Sequence, residues 1–349
     1  DAVNPGWNSD DFKPLGTIDT TATPSAEFTA ASLQAARGKS LGTFRWILWK
    51  VSPVTPTAGG ENTAFQELAV EIGVNTKPAA APAPTAAQSN VFPGEKADFR
   101  DFYRYQVQTA KGLISVVCPK QPAPGKPWLW RSMFWGLELG AVERVTKGDL
   151  TLLEKDYHVV IVPGDASGHA SGNANIDAAY ETLTKTYGFS KTLSMASMSR
   201  ETLALFRWAA ANPEKVESLY VDNGVCNILS WPAGKLVAGN DSVASGNPES
   251  WTLFKKTFGF ASDAEALASK ESPIDLLEPL AKAGIPILMG CGTKDIAVPY
   301  EENGAIMKAR YETFGGSIRI ITEDKGHHPH GLEDPTPVIE FILKHTKVP

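Results

Sequence analysis

A serine at residue 199 sits in Ser197-Met198-Ser199-Arg200-Glu201-Thr202, between a strand-like run, Thr192–Ala196, and a helix-like run beginning at Leu203. Such a turn lifts a hydroxyl clear of a sheet and sets it at a helix N-terminus, where main-chain N–H groups support negative charge. A serine hydroxyl is a weak nucleophile until a base takes its proton, and the base needs an acid to fix its tautomer. Both partners follow in order. Asp295 lies in Cys291-Gly292-Thr293-Lys294-Asp295, after one late strand, and His327 lies in Gly326-His327-His328-Pro329-His330, after the last. The chemistry implied is acyl transfer through a covalent ester on Ser199. Asp222, ending another strand, is a rival acid, and His328 is a rival base; Gly326 permits the turn that favours His327. The serine also has a plainer role as a helix N-cap.

An oxyanion needs two donors. One is the backbone N–H of Arg200, next after the serine; the other is expected in the loop after Trp128–Phe134, at Trp135 or a neighbour. The Arg200 side chain could equally pair with Glu201 as a structural ion pair. Trp231, Trp251 and Arg131 are the candidate substrate contacts, because flat aromatic faces with polar neighbours suit sugars. His327, His328 and His330 could together hold a metal. No second acidic or cysteine cluster accompanies them, so neither a metal nor any other cofactor is expected.

The elements that must carry these residues alternate. Strand-like runs occur at Phe102–Val107, Leu113–Cys118, Trp128–Phe134, His158–Val162, Thr192–Ala196, Ser218–Val221, Ile285–Gly290 and Ile318–Thr322. The first two are joined by Thr109-Ala110-Lys111-Gly112, a hairpin signal. From the third onward, helical patterns intervene at 137–154, 173–187, 200–211, 300–314 and 336–345. This predicts an α/β fold, a mostly parallel eight-stranded sheet with helices on both faces and an antiparallel edge. The stretch 225–284 breaks the alternation and reads as a helical cap insertion.

Residues 95–349 resemble an α/β-hydrolase. The likeness is carried by SMSRET with LALFRWAAANPEKV, by GTKDIAVPYEEN, and by GHHPHGLEDPTPVIEFI. It implies a serine esterase with Ser199, His327 and Asp295 as its triad. The elbow departs from the usual G-x-S-x-G at Ser197 and Glu201, and glutamate is too large for the tight form of that turn. Serine followed by arginine is similar to the elbow of glucuronoyl esterases, in which the guanidinium helps hold the oxyanion or an acidic sugar.

Upstream, Phe44–Val51 and Phe65–Ile72 read as strands of a small all-β unit over 1–76, followed by a Pro/Ala-rich linker at 77–94. FRWILWKVSP and ENTAFQEL resemble the C-terminal half of discoidin-like sandwich modules, which implies carbohydrate binding over about residues 7–74. Trp7, Trp46 and Trp49 would then stack on sugars or fill the core of the small sheet, the commoner role.

The 349 residues carry 33 basic and 39 acidic side chains, a net charge of −6, which disfavours a nucleic-acid partner. No apolar run reaches 18 residues, so no membrane span is expected. Three cysteines, Cys118, Cys226 and Cys291, exclude a disulfide scaffold and read as buried thiols. The chain begins at Asp1 without Met or an apolar leader, as a removed secretory signal would leave it, and a secreted or periplasmic location is the expectation. The partner expected is a small-molecule or polysaccharide ester. A non-catalytic sugar-binding protein, a peptidase and a lactonase are the alternatives.

Overall fold

The computed structural model describes Phe92 and residues 96–133, 143–163, 171–235, 243–244 and 246–347. The chain divides into two compact units, Asp1–Ala83 and Pro84–Pro349. The described residues all belong to the second unit, so the discoidin-like segment and its tryptophans lie outside them.

Nine strands form one sheet: β1 Lys96–Phe99, β2 Phe102–Thr109, β3 Gly112–Cys118, β4 Trp128–Met133, β5 His158–Pro163, β6 Leu193–Met198, β7 Val216–Asp222, β8 Ile287–Gly292 and β9 Ile318–Glu323. Their order across the sheet is β1-β2-β3-β5-β4-β6-β7-β8-β9. The count exceeds the expected eight by β1, whose Lys-Ala-Asp-Phe has no apolar alternation and forms by pairing antiparallel with β2. β2 and β3 close a hairpin in which Thr109 faces Gly112, leaving Ala110-Lys111 as the two-residue loop. Gly112 takes φ +122°, a backbone conformation that a side chain disfavours.

From β5 across to β9 every pairing is parallel. The inner strands are buried on both faces: all six residues of β6 and all seven of β7 are buried. Continuous burial of this kind needs helices on each side. Eight are present among the described residues: α1 Glu143–Glu154, α2 Ser171–Glu181, α3 Thr202–Ala211, α4 Pro248–Phe258, α5 Asp263–Ala268, α6 Leu277–Lys282, α7 Gly304–Thr313 and α8 Thr336–His345. Alternate side chains divide the core. Trp128 and Trp130 of β4 join Phe206 and Trp208 of α3 in the larger cluster. Leu129, between them, joins Leu152 of α1 and Ile339 of α8 on the other face.

Within 225–284, α6 buries Leu277 and Leu280 in the main core and serves as the crossover before β8. α4 and α5 carry a separate cluster with Trp251, Phe254 and Ala266 at its centre. α4 is bounded at both ends by its sequence. Asn247 accepts a hydrogen bond from the N–H of Ser250 at 2.7 Å, Pro248 opens the first turn, and Gly259 ends the helix at φ +74°. No helix among the described residues is long and apolar enough to cross a membrane.

The chain reverses its direction of sheet growth after β5, returning past β4 to form β6. Open sheets bind ligands at the carboxyl ends of strands beside such a reversal. Ser199 directly follows β6.

Candidate active site

β6 ends at Met198 in an extended conformation, with φ −134° and ψ 151°. The chain then turns within one residue. Ser199 has φ +51°, a region costly for a residue with a Cβ and held only where the surroundings over-determine it. Part of that surrounding is visible: the Ser199 carbonyl accepts the N–H of Val225 at 3.0 Å. Ser199–Glu201 form a tight 3-10 turn that runs into α3. Glu201 is buried in it and Ser197 Oγ lies 3.1 Å from Thr202 Oγ1, so the two departures from the usual elbow are both absorbed inside the molecule. The close approach comes instead at Gly224, where a Cβ would lie 2.5 Å from Thr202 Oγ1 and 2.2 Å from Val221 Cγ1.

Ser199 Oγ lies 3.0 Å from His327 Nε2, and His327 Nδ1 lies 2.7 Å from Asp295 Oδ2. The other oxygen of Asp295 accepts the N–H groups of Ala297 at 2.9 Å and Val298 at 2.8 Å. These bonds fix the carboxylate in place. In the tautomer that donates Nδ1–H to this carboxylate, the lone pair of Nε2 faces the serine hydroxyl. The three residues come from turns after β6, β8 and β9 and are joined by these two contacts.

Main-chain bonds set the distance between Asp295 and His327. Beyond the strand ends, the N–H of Thr293 donates to Glu323 O and that of Lys294 to Lys325 O, both at 2.9 Å. At Gly292 a Cβ would fall 2.5 and 2.6 Å from the carbonyl oxygens of Lys325 and Gly326, so only glycine admits this approach. Asn223 spans the gap from β7: its Oδ1 accepts Gly292 N–H at 2.8 Å and its Nδ2 donates to His327 O at 2.9 Å. Its left-handed backbone, φ +43°, is one that asparagine tolerates.

Asp222, the rival acid, is engaged elsewhere. Its Oδ2 lies 2.8 Å from His330 Nδ1 and accepts Gly331 N–H at 2.9 Å. Asp222 and His330 side chains are each 1% exposed. Lys325 reaches into the same region and donates to Gly331 O at 2.6 Å. This second carboxylate–histidine pair is the feature that sequence reasoning missed: Asp222 and His330 were each visible as candidates, but their partnership spans 108 residues and has no local signature.

Two of the expected substrate contacts are placed otherwise. Arg131 alternates with Trp130 onto the α1 side of the sheet and is 3% exposed; Nε and Nη2 donate to Asp149 Oδ1 at 3.0 and 2.5 Å. A buried guanidinium must be paired, and α1 supplies the partner. Burial pushes the Asp149 carboxyl up from the ordinary range and Arg131 opposes that shift. Trp251 lies inside the insertion, its ring stacked on Phe254 at 5.4 Å and its Nε1 donating to Asp263 at 3.0 Å. Trp251 is buried, with its N–H and one ring face engaged within the insertion. Trp231 is half-buried against the same cluster. Trp135 lies outside the described residues, and Arg200 is half-buried on the elbow turn. All three cysteines are free and buried.

No protein-family model matches the chain, and no curated protein sequence is significantly similar to it. Its structure does have solved counterparts. A bifunctional GH43-CE protein of Bacteroides eggerthii superposes with a TM-score of 0.53 at 13% identity, over 68% of this chain and 36% of that one. An acetyl xylan esterase from a Paenibacillus species gives 0.50 at 12% identity, over 74% and 90%. Dipeptidyl peptidase 4 of Porphyromonas gingivalis gives 0.50 at 13% identity, over 70% and 35%. The chain thus spans about a third of the length of the peptidase and of the bifunctional protein. The fold it shares with them is that of the α/β-hydrolases.

Proposed function

We propose that this protein is a serine hydrolase that cleaves a carboxylic ester, its substrate an acylated or uronate-ester carbohydrate. The observation that carries the reading is the relay Ser199–His327–Asp295, at 3.0 and 2.7 Å, on an elbow that holds Ser199 at φ +51°. Ser199 Oγ attacks the ester carbonyl as His327 Nε2 takes its proton. Asp295 stabilises the imidazolium and holds its orientation. The main-chain N–H of Arg200 is the first donor to the oxyanion. Collapse of the tetrahedral intermediate passes the proton from His327 to the departing alkoxide and leaves an acyl group on Ser199. Water, activated by the same histidine, then releases the acid.

The carbohydrate half of the reading is supported by two counterparts whose names denote an acetyl xylan esterase and a GH43-CE protein. A second reading, peptide hydrolysis, has the support of the dipeptidyl peptidase counterpart. One experiment addresses both. A fluorophosphonate should label the protein stoichiometrically and Ser199→Ala should not be labelled. Turnover of acetylated xylan and methyl glucuronate esters, with none of aminoacyl p-nitroanilides, is the expected outcome. The reverse pattern selects the peptidase, and an inert serine removes the enzyme reading altogether.

A further inference from the structure

The loop after β9 packs three imidazoles against one another. His327, His328 and His330 meet edge to face, with ring centroids 4.7 to 5.0 Å apart. One ring nitrogen of each lies within 4.8 Å of those of the other two. Two of these rings hold carboxylates on Nδ1, His327 that of Asp295 and His330 that of Asp222. A carboxylate on the far nitrogen is how proteins orient histidine toward a metal and raise its basicity. His330 adds an independent sign. It is buried, yet its Nε2 has no hydrogen-bond partner. A buried polar atom in that state is costly unless something fills it. Ester chemistry needs Nε2 of His327 but has no use for His328 or for Nε2 of His330.

We propose that His327, His328 and His330 form a binding site for Zn2+, and that the ion competes with Ser199 for Nε2 of His327, switching the hydrolase off reversibly. The binding half stands on the three histidines alone; the inhibitory half rests on the serine-hydrolase reading. Tetrahedral zinc with Zn–N bonds of about 2.0–2.1 Å places its nitrogens about 3.3–3.4 Å apart. The cluster must therefore tighten slightly, and His328, on its exposed side, has the freedom to turn inward. Water completes the shell. An ion on Nε2 occupies the lone pair that would accept the serine proton, so Ser199 is left unactivated while the fold is unchanged.

The test uses protein without a polyhistidine tag. Calorimetric titration of Ser199→Ala with Zn2+ should give one site, and His328→Ala should weaken it by about tenfold or more. His330→Gln is the second variant; thermal melting checks that it is folded. In the wild type, Zn2+ should suppress p-nitrophenyl acetate hydrolysis and excess chelator should restore it. His328→Ala should resist inhibition relative to its own metal-free rate. No binding up to millimolar Zn2+, or an affinity unmoved by both histidine variants, overturns the site. Binding at the site without loss of wild-type turnover overturns the switch. Zinc binding that depends on His328, in a protein inert to esters and to fluorophosphonate, would sink the hydrolase reading and leave the site standing.

Discussion

Two carboxylate–histidine pairs lie three residues apart on the same loop, and they differ in what stands at the far end of the ring. His327 has Asp295 on Nδ1 and Ser199 on Nε2, and its side chain is 16% exposed. His330 has Asp222 on Nδ1, with its ring shut inside the protein. The hydrogen bond to the acid is nearly the same length in both, 2.7 against 2.8 Å. On the proposed reading, an Asp–His bond does not by itself make a base; access and a hydroxyl within reach distinguish His327 from His330.

The sharpest way to break this comparison is at the serine. Ser199→Ala should lower kcat/KM for any turned-over ester by at least about 10⁴-fold with the fold intact; circular dichroism and ester hydrolysis together decide it. The two acids come next. Asp295→Asn should cost about 10³–10⁴ in kcat with KM little changed, because the ring then settles in the wrong tautomer. Asp222→Asn should cost far less. If the two losses were equal or reversed, the roles assigned to the pairs would be exchanged.

A stability measurement should not separate the pairs as activity does. Asp222→Ala leaves the N–H groups of His330 and Gly331 without their acceptor. At about 1–3 kcal/mol for each buried donor, urea unfolding should show a loss of several kcal/mol. Asp295→Ala should show a comparable loss, since it orphans the ring N–H of His327 and the main-chain N–H groups of Ala297 and Val298.

His158 serves as the comparison without any carboxylate. It is buried beneath Phe189, with ring centroids 4.5 Å apart, and the Pro127 carbonyl lies 3.3 Å from Nδ1. Burial pushes its pKa down to about 4. The unfolded chain takes up the proton near the ordinary value of about 6.5, and the folded chain resists until about 4. The share of stability linked to His158 is thus full above pH 6.5 and is lost as the pH drops through that window, about 3 kcal/mol. Melting curves from pH 7 to 4 should show the decline, and His158→Phe should flatten it.

Most of the sheet was legible because its strands are apolar or alternating stretches between turn signals. β1 was not, since four residues with two charges carry no pattern and exist only through β2. Ser199, Asp295 and His327 stood out because each follows a strand, and strand ends are where a parallel sheet exposes chemistry. The substrate contacts fared worse for a physical reason. A tryptophan or arginine near a strand end can face a ligand or the interior, and only the register decides. Trp251 turned to Phe254, and Arg131 to Asp149, through packing that no local spacing records.

The backbone seam at Gly292 has a consequence for how the site opens. The amides of Thr293 and Lys294 bond to the His327-bearing loop, and Asn223 ties Gly292 to the carbonyl of His327 itself. These two loops cannot separate one bond at a time. Hydrogen–deuterium exchange at Thr293 and Lys294 should therefore proceed with a shared opening free energy, as one cooperative unit. Acid and base would be lost or kept together, and a population with Asp295 in place and His327 astray would not accumulate during thermal fluctuation.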